Sequence, residues 1–169
     1  LITRFVFLAV QVSGHSMVPS LEDSGSYWVN RLAYVRNEPA RSDIVALKDP
    51  RDGVLVVKRI IALPGDSVFL SHGKVYLNGN LLAEPYLNAH AYTFAYERKS
   101  GDEFFCVGKN DYFVMGDNRN NSKDSRWQDD MDAPGFVPAQ NLVGKAVRIW
   151  LNLDTRDGPL WRRIGNAIN

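Results

Sequence analysis

What most constrains this chain is its succession of short, β-branched runs closed by turn residues. YWVNRLAYV (Tyr27 to Val35), DIVAL (Asp43 to Leu47) and VLVVKRIIAL (Val54 to Leu63) read as strands. LPGD (Leu63 to Asp66) is a Pro-Gly turn. SVFLSHGKVYLNGNLL reads as strand, turn at His72-Gly73, strand, and a hairpin at Asn78-Gly79. EFFCVGKNDYFVMGDN reads as strand, turn, strand, with Cys106 expected as a small buried hydrophobe. NLVGKAVRIWLNL (Asn141 to Leu153) is a strand pair or one long strand. Residues 84 to 103 have no clean period, and the tail PLWRRIGNAIN offers a short helical turn at most. The class is mostly β.

Composition narrows the function classes. With 169 residues, 45% of them hydrophobic, the chain can bury a core and suits one domain or a core with a modest insertion. A net charge of +1 gives no electrostatic case for nucleic acid as a partner. The single cysteine cannot form an internal disulfide, and His15, His72 and His90 lack ligand spacing, so no metal and no cofactor are expected. FVFLAV (Phe5 to Val10) is far shorter than the about 20 apolar residues that cross a bilayer, and it lacks a signal-peptide cleavage pattern. It reads as the first core strand or as the end of a membrane-proximal segment.

The chemistry turns on GHSMVPSL, Gly14 to Leu21, in which Ser16 is either a turn hydroxyl or a nucleophile. Histidine is the usual base for serine. His15 is adjacent, though, and adjacent residues on an extended chain face opposite ways. His72 and His90 lie in turn-like sequence with no evident acid to orient them. VLVVKRII offers another base. Val54, Val56, Lys58 and Ile60 share one face; Leu55, Val57, Arg59 and Ile61 share the other, so the strand reads as buried. Burial disfavours an ammonium, and a neutral lysine amine accepts a serine proton. A guanidinium does not, because it stays charged. Lys58 is therefore the candidate base, or else a strand-end cation that reaches out to water. The polar stretch GDNRNNSKDSR (Gly116 to Arg126) is a solvated loop, or a rigid one that props the lysine with a hydroxyl and closes on an Asp124–Arg126 pair.

Taken together, GHSMVPSL, SDIVALKDP, VVKRIIALPGD and YFVMGDNRNNSKDSR resemble, in order, the boxes of the type I signal peptidases, and GFVPAQNLVGKAVRIW resembles that family's closing strands. The resemblance implies a membrane-associated serine endopeptidase with a Ser-Lys dyad: Ser16 as nucleophile, Lys58 as general base, Ser122 orienting the amine, and Asp124 and Arg126 holding the loop. It implies an oxyanion site made by the Ser16 N–H and a second donor. Some members supply that donor from a serine two residues before the nucleophile. This chain has Gly14 there, which leaves the Gly14 N–H or Ser13. Ser20 stands for the usual threonine, Ser42 for a usual glycine and Asn120 for a common aspartate, and the stretch between Arg126 and Gly135 is longer than usual.

The same resemblance implies a catalytic core of coiled antiparallel β-sheets, residues 1–66 and 110–169, interrupted by a β-rich insertion at 67–109. Substrate would bind extended beside the segments before Ser16 and before Lys58. Val12, Met17, Leu21 and Val57 would form the pocket for the residue before the cut. Val10, Ala46 and Val57 would form the next-but-one pocket, both favouring small side chains such as alanine. The implied partners are preprotein signal peptides and membrane lipid. The implied location is the bacterial inner membrane, catalytic domain facing the periplasm or exterior, with an anchor upstream of Leu1. Trp161, Arg162 and Arg163 lie at lipid headgroups or form a solvated end. Three rivals remain: a self-cleaving Ser-Lys protein, a conjugation-type peptidase, and a non-catalytic β binding module.

Overall fold

The computed structural model describes residues 6–94, 102–127 and 135–151, side chains of 148–151 excepted. Strand follows strand: β1 Phe7–Gln11, β2 Ser26–Asn30, β3 Ile44–Lys48, β4 Leu55–Ala62, β5 Ser67–Ser71, β6 Lys74–Leu77, β7 Asn80–Leu81, β8 Glu103–Cys106, β9 Asp111–Met115, β10 Val137–Pro138 and β11 Leu142–Leu151. Two tight turns are dictated locally. His72 and Gly73 have φ of 49° and 75°, and Asn78 and Gly79 have 50° and 81°. Paired positive φ values match the right-handed twist of the flanking strands, so β5–β6 and β6–β7 close as hairpins.

The strands form two antiparallel sheets. Seven run in the order β1-β2-β11-β3-β4-β9-β10, and four in the order β7-β6-β5-β8. Three strands separate β1 from β4 in the large sheet, yet Val10 of β1 and Val57 of β4 share one core cluster with Met17, Leu21, Val29 and Ala46. The sheet is therefore curled. β11 supplies part of the curvature, since its ladders with β2 and β3 carry register shifts characteristic of bulges. The small sheet packs on the large one through Val68, Leu70, Val75 and Phe105 against Ile61, Phe113 and Met115.

Three local readings need correction. The run from Tyr27 to Val35 is a strand only to Asn30. There the Asn30 side chain accepts the Leu32 N–H at 2.9 Å and turns the chain, leaving Leu32 and Val35 exposed. Cys106 is exposed rather than buried, because alternation on β8 turns Phe105 inward and Phe104 and Cys106 outward. Burial on β4 begins late: Val54 and Leu55 are exposed, whereas Val57 to Ala62 are buried. NLVGKAVRIWLNL forms one strand to Leu151, and the expectations for the tail fall outside the described residues. Among the described residues no helix is long and apolar enough to cross a membrane.

Candidate active site

Ser16 sits in the loop between β1 and β2. Met17 and Leu21, both fully buried, pin that loop to the core, and a Leu21 N–H to Met17 carbonyl bond of 2.9 Å closes a turn after the serine. Lys58 comes from β4, opposite Val45 of β3. The two meet across 42 residues of sequence, with Lys58 Nζ 2.9 Å from Ser16 Oγ. Lys58 is 5% exposed. Burial holds its amine below the ordinary lysine range, and Arg126 pushes the same way, against the carboxylates of Asp124, Asp49 and Asp117. A neutral amine at hydrogen-bond distance from a hydroxyl is equipped to take its proton.

The third wall is the polar stretch after β9. Asp124 has no exposed surface, and burial alone would raise its carboxyl. Arg126 and the Gly116 amide hold it low instead: Arg126 Nε and Nη2 donate to its two oxygens at 2.8 and 2.9 Å, and the Gly116 N–H donates at 3.0 Å. Removing one partner of so buried a pair costs about 3–5 kcal/mol, so this loop is rigid rather than solvated. The Ser122 hydroxyl is buried and makes no hydrogen bond. The expected contact with the Lys58 amine is not formed; Ser122 packs against Gly116 beside the Ser16 carbonyl, and the amine rests on Ser16.

The oxyanion expectation also changes. Gly14, at φ 108°, donates its N–H to Asp23 Oδ1 at 2.7 Å, and Ser24 donates to the same oxygen. The Gly14 amide is therefore committed to its own loop. His15 lies 4.0 Å from Asp23 and bonds neither Ser16 nor Lys58; His72 pairs with Ser71 in the small sheet.

A groove of about 570 Å³ runs past the Ser16–Lys58 pair. One side is the chain from Val10 to Ser16, the other the chain from Val54 to Lys58, with Asn121 and Lys123 at the end by the polar loop. Among the described residues both flanking segments keep an unpaired edge: β1 pairs with β2 alone, and β9 joins β4 only from Arg59 onward. Of the expected pocket residues, Val10, Val12 and Val57 line the groove, while Met17, Leu21 and Ala46 lie in the core beneath it.

Sequence reasoning missed the bonds that tie these pieces together. Asn118 donates its N–H to the Ser16 carbonyl at 2.9 Å and its amide to the His15 carbonyl at 3.0 Å. Arg59 has no exposed surface; it forms a two-pronged pair with Asp117 at 2.8 and 2.7 Å and lies 3.9 Å from the Tyr86 ring centroid. Neighbouring apolar residues in VVKRII gave a sign of Arg59 burial; nothing local named its partners.

Comparison with known proteins identifies the family. Residues 1–151 match the family model described as signal peptidase, peptidase S26. A probable signal peptidase I-2 of Synechocystis is 38% identical over 157 residues, covering 88% of this chain and 66% of the relative. Signal peptidase I S of Bacillus subtilis is 43% identical over 135 residues, covering 75% and 70%. A crystal structure of a signal peptidase I from Enterococcus faecalis aligns with a TM-score of 0.51 at 31% identity, over 64% of this chain and 97% of that one. The chain thus spans about two thirds of the length of the curated relatives it matches. With a single family model covering all but its last residues, and a curled antiparallel β-fold like that of a solved member, the chain belongs to the signal peptidase family, peptidase S26.

Proposed function

We propose that this chain is the catalytic portion of a signal peptidase that cuts signal peptides from exported preproteins with a Ser-Lys dyad. The observation that carries this reading is the buried Lys58 amine 2.9 Å from the Ser16 hydroxyl, at the floor of a groove with two open strand edges. An extended peptide laid between β1 and β4 adds backbone hydrogen bonds on both sides. Val10, Val12 and Val57 offer it shallow apolar contacts, with Met17, Leu21 and Ala46 as the filled floor that leaves room only for small side chains.

In the reaction, neutral Lys58 takes the Ser16 proton as Oγ attacks the scissile carbonyl. The Ser16 N–H stabilises the oxyanion, and Ser13, on the groove wall, is the remaining candidate for the second contact. The Lys58 ammonium then protonates the leaving amine, and a water activated by Lys58 hydrolyses the acyl-enzyme. Ser122 steadies the amine when it is charged: its buried hydroxyl makes no hydrogen bond in the resting site and can turn to accept from the ammonium. Asp124 and Arg126 keep that hydroxyl in place. The β5–β8 sheet, within residues 67–109, is an insertion in the catalytic core. The apolar approach along β1 suits work at a lipid surface, with the catalytic face on the outer side of the bacterial inner membrane. Incubating the protein and Ser16→Ala with a preprotein and sequencing the new N-terminus tests the reading. Cleavage after a small residue by the parent alone supports it; equal turnover by Ser16→Ala refutes it.

A further inference from the structure

The segment after β7, residues 82–94, forms no ladder, yet it holds a cluster of buried polar contacts that the proposed chemistry does not use. Arg119, in the polar loop, has a side chain with no exposed surface. Both Glu84 carboxylate oxygens accept from its guanidinium, and Thr93 Oγ1 accepts from Nη1 at 2.7 Å. Tyr86 donates its hydroxyl to Glu84 at 2.8 Å, and its ring faces Arg59, the neighbour of Lys58 on β4. The Phe94 carbonyl accepts from Arg126 Nη1 at 3.1 Å. The segment therefore grips the polar loop at Arg119 and Arg126 and touches β4 at Arg59.

The line of force ends at the reacting atoms. Arg119 Nε donates to the Gly116 carbonyl at 3.2 Å. Gly116 packs directly on the Ser122 side chain and the Ser16 carbonyl. Asp117, the next residue, is the one that Arg59 clamps. Loops with this many buried partners hold one geometry, and a guanidinium stripped of its carboxylate must find water.

We infer that Glu84, seated by Tyr86 and Thr93, is a positioning residue: through Arg119 it sets Gly116 and the loop that packs against the Ser16 carbonyl and helps keep the Lys58 amine buried. The inference rests on the Ser-Lys reading for its catalytic consequence only. If Glu84 is neutralised, the loop loosens, water reaches Lys58, and the amine moves back toward the ordinary lysine range. The groups facing that amine, Ser16, Asp124, Arg126, Asp49 and Asp117, are unchanged in kind.

The test compares Glu84→Gln, Glu84→Asp and Thr93→Val with the parent, and with Asp66→Asn as a control. Asp66 binds Arg41 and Asn78 at the base of the small sheet and touches no residue of the polar loop. Lys58 protonation is read by NMR of lysine labelled at Cε, assigned with Lys58→Arg, and therefore without reference to turnover. The expected result is a Lys58 midpoint raised by about half a unit or more in Glu84→Gln, partly restored in Glu84→Asp, and unmoved in Asp66→Asn even if that variant melts lower. With a preprotein substrate, kcat should fall about tenfold to a hundredfold while KM stays within about twofold, because the groove walls do not touch Glu84. Should Glu84→Gln not fold, Thr93→Val is read by the same criteria. A folded variant with the parent's midpoint overturns the inference, whether or not the parent cleaves; absence of cleavage by the parent overturns the proposed function instead.

Discussion

Gly116→Ala isolates the packing between the polar loop and the nucleophile. A β-carbon at Gly116 would lie 2.4 Å from the Ser16 carbonyl oxygen, 2.3 Å from Ser122 Oγ and 2.6 Å from Ser122 Cβ. Ordinary contact begins near 3.4 Å, so the nucleophile loop and the polar loop must part by about 1 Å. A rotamer change at Ser122 relieves only the hydroxyl contact; the carbonyl and the Ser122 β-carbon belong to rigid parts. The φ of Gly116 is not positive, so the effect is steric rather than one of backbone preference. Overpacking of this kind costs about 1–3 kcal/mol of stability. A displacement of about 1 Å at the reacting atoms costs up to about a hundredfold in kcat. Cleavage kinetics on a signal-peptide substrate, with a calorimetric melt to confirm folding, make the measurement. A folded Gly116→Ala enzyme with the parent's kcat would show that Ser16 and Ser122 do not need this close approach, and the geometric argument would fall.

Lys58→Arg should be as inactive as Lys58→Ala, about 10²–10⁴-fold below the parent, because a guanidinium keeps its proton; an active arginine variant would move the base elsewhere. The rate should rise with pH through the folded pKa of Lys58, with a midpoint below the about 10.4 of a free lysine. Folded Lys58 binds fewer protons than unfolded Lys58, so its contribution to stability should decline as pH falls from the unfolded to the folded pKa, and level off below; denaturant melts across that window that show the opposite slope would contradict the burial of the amine. Cys106→Ser should change stability by less than about 0.5 kcal/mol and leave turnover intact, and the folded protein should react with a thiol reagent without losing activity, since the thiol is exposed on β8. Ser42 holds a φ of 69°, a conformation costing a non-glycine residue about 1–2 kcal/mol, so Ser42→Gly should raise the melting temperature despite glycine's own entropic cost; a lower one would refute that account.

The β class and the hairpins at His72-Gly73 and Asn78-Gly79 were legible because they depend on near neighbours, whereas the partnership of the serine box with the lysine strand was read from the resemblance of the two boxes to a known family. Alternation, turn residues and β-branching act over a few positions; a lysine among valines and isoleucines is open to two readings, a buried amine or a strand-end cation reaching water, and the structure buries it. Where a local competitor intervened, the reading slipped: the Asn30 side chain ended β2 early, and Cys106 fell on the outer side of β8. Ser42 shows the converse: its φ of 69° is a backbone angle that favours glycine, and the residue string does not display it.

Tertiary structure alone decided which groups meet. It brought Lys58 to Ser16, committed the Gly14 amide to Asp23, and left the Ser122 hydroxyl off the amine. It also paired Arg59 with Asp117 across 58 residues and Arg119 with Glu84 across 35. No periodicity encodes such contacts. They arise because a curled sheet folds distant segments onto one interior, where each buried charge must find a partner that can satisfy it.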